Sequence, residues 1–141
     1  MAYDPNNIFA RMVRGEIPCI KVFEDADTLA FMDIMPQSAG HTLVIPKVAG
    51  ENLFDSPPEA VAAAIRTTQR VARAVATAMN APGTVITQFN GPVAGQTVFH
   101  LHFHIIPAYA AGAFKPHARE RADSAVLEAQ ATRIRAALAA A

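Results

Sequence analysis

Apolar residues recur with two different periods along this chain, and the switches between them divide it into elements. From about Pro58 to Met79, Val61, Ile65, Ala72, Val75 and Met79 return at helical spacing, with Arg66, Arg70 and Arg73 on the remaining surface. Pro57 and Pro58 sit where a first turn tolerates proline, Asp55 or Ser56 can cap it, and Asn80, Pro82 and Gly83 end it. A second helix is predicted from about Ser124 to Leu138, with Leu127, Ala131, Ile134 and Leu138 on one face. A short one over Ile8–Arg14 is stopped by Gly15 and Pro18.

Between the helices the pattern shortens to strand length. Lys21–Glu24 and Thr28–Asp33 flank Asp25-Ala26-Asp27, which reads as a hairpin turn. Thr42–Ile45 lies between Gly40 and Pro46, Thr84–Phe89 ends at Asn90-Gly91-Pro92, and Val98–Ile106 ends at Pro107. Five strands interrupted by one long helix, with short early connections, predict an α+β fold on a five-stranded antiparallel sheet. From Ala108 to Asp123 the composition shifts to Ala, Gly, Pro and charge, which reads as a mobile connector. The expectation is a single domain over residues 1–141: a core over about 8–107, then a connector and C-terminal helix.

Composition narrows the class. A chain of 141 residues, 52% hydrophobic, is long enough for a real core and too apolar for disorder. Twelve basic and twelve acidic side chains argue against a nucleic-acid binder working through bulk electrostatics. Cys19 is alone, so no internal disulfide is expected. The N-terminus lacks a basic stretch followed by an apolar core, and no apolar run approaches the ~18 residues of a membrane span. These features predict a cytoplasmic protein with no membrane or nucleic-acid partner.

The chemistry concentrates in His100-Leu101-His102-Phe103-His104-Ile105-Ile106. In a strand the three histidines share one face and Leu101, Phe103 and Ile105 the other, with imidazoles roughly 6.8 Å apart per step. Three readings are open. The polar positions of an ordinary strand can simply be histidine. A metal can take one His pair with His41, although a straight strand separates the outer pair by roughly 13–14 Å, too far for three ligands on one ion. A neutral imidazole whose N–H is held by a carbonyl can also act as a nucleophile, and phosphorus suits such a row because its transfer depends on positioning and charge stabilisation. The loop Asn90-Gly91-Pro92-Val93-Ala94-Gly95-Gln96-Thr97 strengthens the third reading, since Gly95 permits close backbone approach and Gln96 and Thr97 can bond phosphate oxygens.

This segment resembles the defining motif of the histidine-triad superfamily. Gly95-Gln96-Thr97-Val98-Phe99 is similar to the family's approach loop, and Asp33–Lys47 to its other long signature. So are Ile8-Phe9 and Gly15-Glu16-Ile17-Pro18, and the likeness is strongest to the small Hint-like branch. The resemblance implies a homodimer whose two sheets join, with a purine nucleotide or nucleotidyl conjugate as ligand and no cofactor. It implies hydrolysis of nucleoside 5′-phosphoramidates or related conjugates at the α-phosphorus, through a nucleotidyl intermediate on His102. His104 would contact the phosphate and help the leaving group, with His100 and His41 supporting the row. Asn90, Gly95, Gln96, Thr97 and Val98 would surround the phosphate and nucleophile. Asp33 would bind the ribose, and Ile8, Phe9, Phe31, Ile34 and Leu43 would form the base slot.

Each assignment has a plainer competitor. Asp33 can cap Ile34-Met35-Pro36, the apolar residues can be ordinary core, His41 can be a turn residue, and His117 can be solvated. Dinucleoside polyphosphate hydrolysis, or nucleotide-dependent regulation with vestigial catalysis, would use the same motif. Many bacterial relatives carry Cys-x-x-Cys near the N-terminus, completing a zinc site with histidines matching His41 and His100. Asn7-Ile8-Phe9-Ala10 stands there instead, so no structural zinc is expected.

Overall fold

The structure, a computed structural model, describes residues 2–111, 114 and 120–141. The helices are α1 (Ile8–Val13), α2 (Pro58–Met79) and α3 (Ser124–Ala140); the strands are β1 (Lys21–Glu24), β2 (Thr28–Met32), β3 (Thr42–Pro46), β4 (Gly83–Thr87) and β5 (Phe103–Ala108). They form one five-stranded sheet in the order β1-β2-β3-β5-β4, every neighbouring pair antiparallel. This is the α+β architecture expected. Among the described residues no helix is long and apolar enough to cross a membrane.

Strand alternation sends side chains into two apolar layers. Ala30 and Met32 of β2, Val44 of β3 and Ile105 of β5 pack against Val71 and Val75 of α2 and Leu127, Ala131 and Ile134 of α3. Leu29, Phe31, Leu43 and Ile45 face the other way and pack with Phe9 of α1. His104 takes this second face, opposite Leu43 in the β3–β5 ladder. The sheet is therefore buried on both sides near its centre, and His104 lies on the face that α1 covers.

Several sequence expectations shift. The predicted helix α2 keeps its ends, with Asn80 in the left-handed conformation at its C-terminus. Its N-cap is Pro57, without a side-chain bond. Ser56 instead donates to the Asn52 carbonyl, and Asp55 accepts from the amides of Glu51 and Asn52. Its buried face runs through Ala60, Ala64, Thr68, Val71 and Val75, whereas Ile65 is exposed. Small residues on that side let the helix approach the sheet closely, which apolarity alone does not signal. Helix α3 buries the predicted Leu127, Ala131, Ile134 and Leu138.

The last strand differs most. Ladder pairing begins at Phe103, not Val98, and continues through Pro107 to Ala108. Leu101 N–H donates outside the sheet, to the Gly50 carbonyl. Pro107 is accommodated opposite Thr84, beyond the end of the β3 pairing, and its carbonyl accepts from Ser38 Oγ. Ala108 thus belongs to the sheet rather than to the connector. Both flanks of that connector touch the loop after β2, where Tyr109 Oη donates to the Ala39 carbonyl and Ala122 N–H to that of Ile34. Residues 112, 113 and 115–119 of the expected connector, His117 among them, lie outside the described residues.

Candidate active site

Only His104 of the three clustered histidines lies in the regular strand, so the even imidazole row is replaced by a bent one. The rings of His102 and His104 have centroids 5.0 Å apart, closer than an extended strand would set them. All three imidazoles and that of His41 are buried.

Backbone partners decide each neutral tautomer, because a carbonyl only accepts and an amide only donates. His102 Nδ1 is 2.7 Å from the His100 carbonyl, so Nδ1 carries the proton and Nε2 the lone pair. His100 Nε2–H donates to the Pro46 carbonyl at 2.8 Å. Its Nδ1 then accepts from Tyr3 Oη at 2.6 Å. Gln37 N–H donates to His41 Nδ1 at 3.0 Å, leaving the His41 proton on Nε2, which donates to His104 Nδ1 at 2.9 Å. That bond in turn places the proton of neutral His104 on Nε2. Burial pushes the His100 imidazole below its ordinary pKa and keeps it neutral.

A pocket of about 150 Å³ opens beside this row. It brings together Ile8, Phe9, Phe31, Asp33, Ile34, Leu43, Thr97, Val98, His102 and His104 from the sequence expectations, and adds Met12, Met32 and Met35. Its apolar walls with few polar groups suit a small organic ligand. Phe9 meets Phe31 at 5.3 Å and His102 at 5.0 Å between centroids, both edge-on, so α1 closes one wall directly onto His102. Asp33 caps the turn and also stands at the pocket. Its Oδ1 accepts from Met35 N–H in the turn, while Oδ2 lies 3.4 Å from His41 Nε2 and the residue lines the pocket.

The loop residues divide differently. Gln96 is buried with its amide already engaged: Oε1 accepts from Gly91 N–H, and Nε2 donates to the carbonyls of Glu51 and Val98. Asn90 Oδ1 accepts from Leu53 N–H. Both brace the loop rather than line the pocket. Gly95 has φ +106°, a conformation that favours glycine. Tyr3 was not visible as a site residue, since nothing in Tyr3-Asp4-Pro5-Asn6-Asn7 distinguishes it from a turn.

The residues present do not fit a zinc clamp of the kind found in bacterial relatives. Asn7 caps α1 by accepting from Ala10 N–H, Phe9 and Ala10 are buried in the apolar layer, and His41 and His100 bond to different partners. Among the described residues, Asp33, His41 and His104 do offer ligand atoms within 4.8 Å of one another. Metal at His41 Nε2 would require that atom to lose its proton while Gln37 N–H still occupies Nδ1, which a neutral imidazole cannot satisfy.

The HIT-domain family model matches residues 14–111, which include the whole histidine row and the Asp33–His41 turn. The chain belongs to the HIT family. A HIT-like protein of Mycobacterium tuberculosis is 44% identical over 100 residues, covering 71% of this chain and 69% of that one. An adenosine 5′-monophosphoramidase of Schizosaccharomyces pombe is 41% identical, covering 71% and 72%. Among solved structures, a Hit-like protein from Bartonella henselae superposes with a TM-score of 0.90 at 48% identity, covering 96% of this chain and 99% of that one. The HIT match ends before α3, although Ala122 and Gln130 from that C-terminal region bond the loop carrying Asp33 and His41.

Proposed function

We propose that this HIT protein is a nucleotide-binding hydrolase that cleaves nucleoside 5′-phosphoramidates or related nucleotidyl conjugates at the α-phosphorus. The observation that carries this reading is the bond from His102 Nδ1–H to the His100 carbonyl, which leaves a lone pair on Nε2 at the wall of the pocket. In this reading the base lies between Ile8, Phe9, Phe31, Ile34 and Leu43, and Asp33 accepts from the ribose hydroxyls. His102 Nε2 attacks phosphorus, and the new N–P bond forms as the P–N bond to the amine breaks. His104 Nε2–H donates its proton to the departing nitrogen, so the leaving group goes as the neutral amine. Water then gives its oxygen to phosphorus and a proton back to His104 Nε2, breaking the histidine–phosphorus bond and returning the lone pair to His102. Cleavage by the similar phosphoramidase of S. pombe supports this substrate class.

The same reading places the chain in a homodimer. β4 is an edge strand with Val85 and Ile86 exposed, and the exposed Ile65 of α2 joins Ile86 along a common groove.

Turnover of adenosine 5′-phosphoramidate by wild type and His102→Ala tests the chemistry. Wild type should release AMP, and the variant should lose turnover while still binding AMP. Full activity in His102→Ala overturns the mechanism. Rapid quench of His104→Ala followed by mass spectrometry should show a nucleotidyl adduct on the protein.

A further inference from the structure

We infer that Tyr3 is a positioning residue for the nucleophile, acting through His100 on His102; the catalytic part of this inference rests on the function proposed above. The contact itself is short and spans the chain: Tyr3 Oη lies 2.6 Å from His100 Nδ1 across 97 positions of sequence. Its direction follows from the geometry. Because His100 Nε2 must donate to the Pro46 carbonyl, the neutral ring can only accept at Nδ1, so Tyr3 is the donor.

His100 then has two duties. Its ring anchors the segment, and its main-chain carbonyl receives the Nδ1–H of His102. The segment needs such an anchor because it lies outside the ladder, which begins only at Phe103. No strand neighbour sets the direction of the His100 carbonyl. That direction depends on separate bonds: Leu101 N–H to Gly50, Gln96 Nε2 to the Val98 carbonyl, and the two partners of the His100 ring. Tyr3 supplies one of the two that hold the ring. When the hydroxyl is removed, the buried Nδ1 loses its donor, and the ring gains a reason to turn or change tautomer. Any turn that displaces the His100 carbonyl releases the proton of His102 Nδ1, and the lone pair no longer stays on Nε2.

Tyr3 is also continuous with the wall of the pocket. Four residues after it, Asn7 caps α1, whose Phe9 packs edge-on against His102 and, at 6.4 Å, against His100. The N-terminal segment thus meets the histidine row at both of its ends, once by a hydrogen bond and once by an aromatic ring.

The test compares full-length wild type and Tyr3→Phe, which removes the hydroxyl and keeps the ring. With adenosine 5′-phosphoramidate, kcat should fall about tenfold while KM and AMP affinity stay within about twofold, because the base slot and Asp33 are untouched. In ¹⁵N-histidine NMR spectra, His102 should show one tautomer, protonated at Nδ1, in wild type and a mixture in Tyr3→Phe. An unchanged kcat, or an equal loss in AMP binding and thermal stability that accounts for the activity, overturns the inference. If wild type turns over no phosphoramidate, the proposed function fails, and the NMR comparison alone decides the role of Tyr3. An unchanged His102 tautomer in Tyr3→Phe overturns it.

Discussion

His41 hands a hydrogen bond to His104, Nε2–H to Nδ1 at 2.9 Å, and its direction is imposed by the Gln37 amide on the far side of the His41 ring. The third imidazole of the row is therefore tuned by a turn more than sixty residues earlier in the chain. Replacing His41 by alanine removes that donor and leaves His104 Nδ1 buried beside a hole. Such a change costs about 1–3 kcal/mol of stability for the stranded acceptor. Turnover should fall by about tenfold or more, since His104 can then place its proton on either nitrogen. Urea denaturation and steady-state kinetics on the same variant check both effects.

In the proposed function Asp33 has two duties, the turn and the ribose, which one substitution can divide. Asp33→Asn keeps an oxygen to accept from Met35 N–H, so the turn should persist. It removes the charge offered to ribose hydroxyls. KM for a ribonucleoside substrate should rise about tenfold, in line with losing a charged hydrogen bond, and the preference over the 2′-deoxy analogue should shrink. An undiminished preference for ribose would assign Asp33 to the turn alone.

Stability should depend on pH through His100. Its pKa in the fold lies below the ordinary value of 6.5, because burial penalises the charged ring. The ring meets Tyr3, Phe9 and the Pro46 carbonyl, so its bonded and stacked neighbours include no carboxylate. Below about pH 6.5 the unfolded chain takes up a proton that the native state refuses, so stability falls as pH drops. The slope from this one group is at most about 1.4 kcal/mol per pH unit. Denaturation midpoints between about pH 7.5 and 5 should fall less steeply in His100→Gln than in wild type.

Gly40 admits no side chain. Its φ is +90°, and an added Cβ would lie 2.7 Å from Met79 Cγ and 3.3 Å from Pro107 Cγ. Gly40→Ala should cost about 1–3 kcal/mol through strain and overpacking. Because Gly40 adjoins His41, activity should drop with it. A thermal melt within one degree of wild type would show that the turn relaxes freely.

What the sequence discloses depends on how far each interaction reaches. Helix α3 was readable residue by residue, because a surface helix packed along one stripe carries its burial in its own periodicity. Helix α2 misleads in part, since its contact face mixes alanine and threonine with Val71 and Val75 while Ile65 points outward. The histidine motif announced the site but not its shape. Alternation predicted a flat row, and the bend comes from Leu101 bonding Gly50, a partner no local pattern reveals. Gln96 was identified as a site residue, yet its amide spends all its visible bonds on the backbone of its own neighbourhood. Tyr3 gave no local signal at all, because its significance exists only once residue 100 is folded beside it.

The bonds from Ala122 N–H to the Ile34 carbonyl and from Gly40 N–H to Gln130 Oε1 carry a consequence for the order in which the molecule is made. The loop that lines the pocket and orients His41 is synthesised early, but two of its ties are supplied by residues near the end of the chain. Helix α3 also packs Leu127, Ala131 and Ile134 against the sheet, so core and loop are completed by the same late segment. A ribosome stalled short of residue 122 would carry a histidine row without either the C-terminal share of the core or the brace that holds Asp33 and His41 in place.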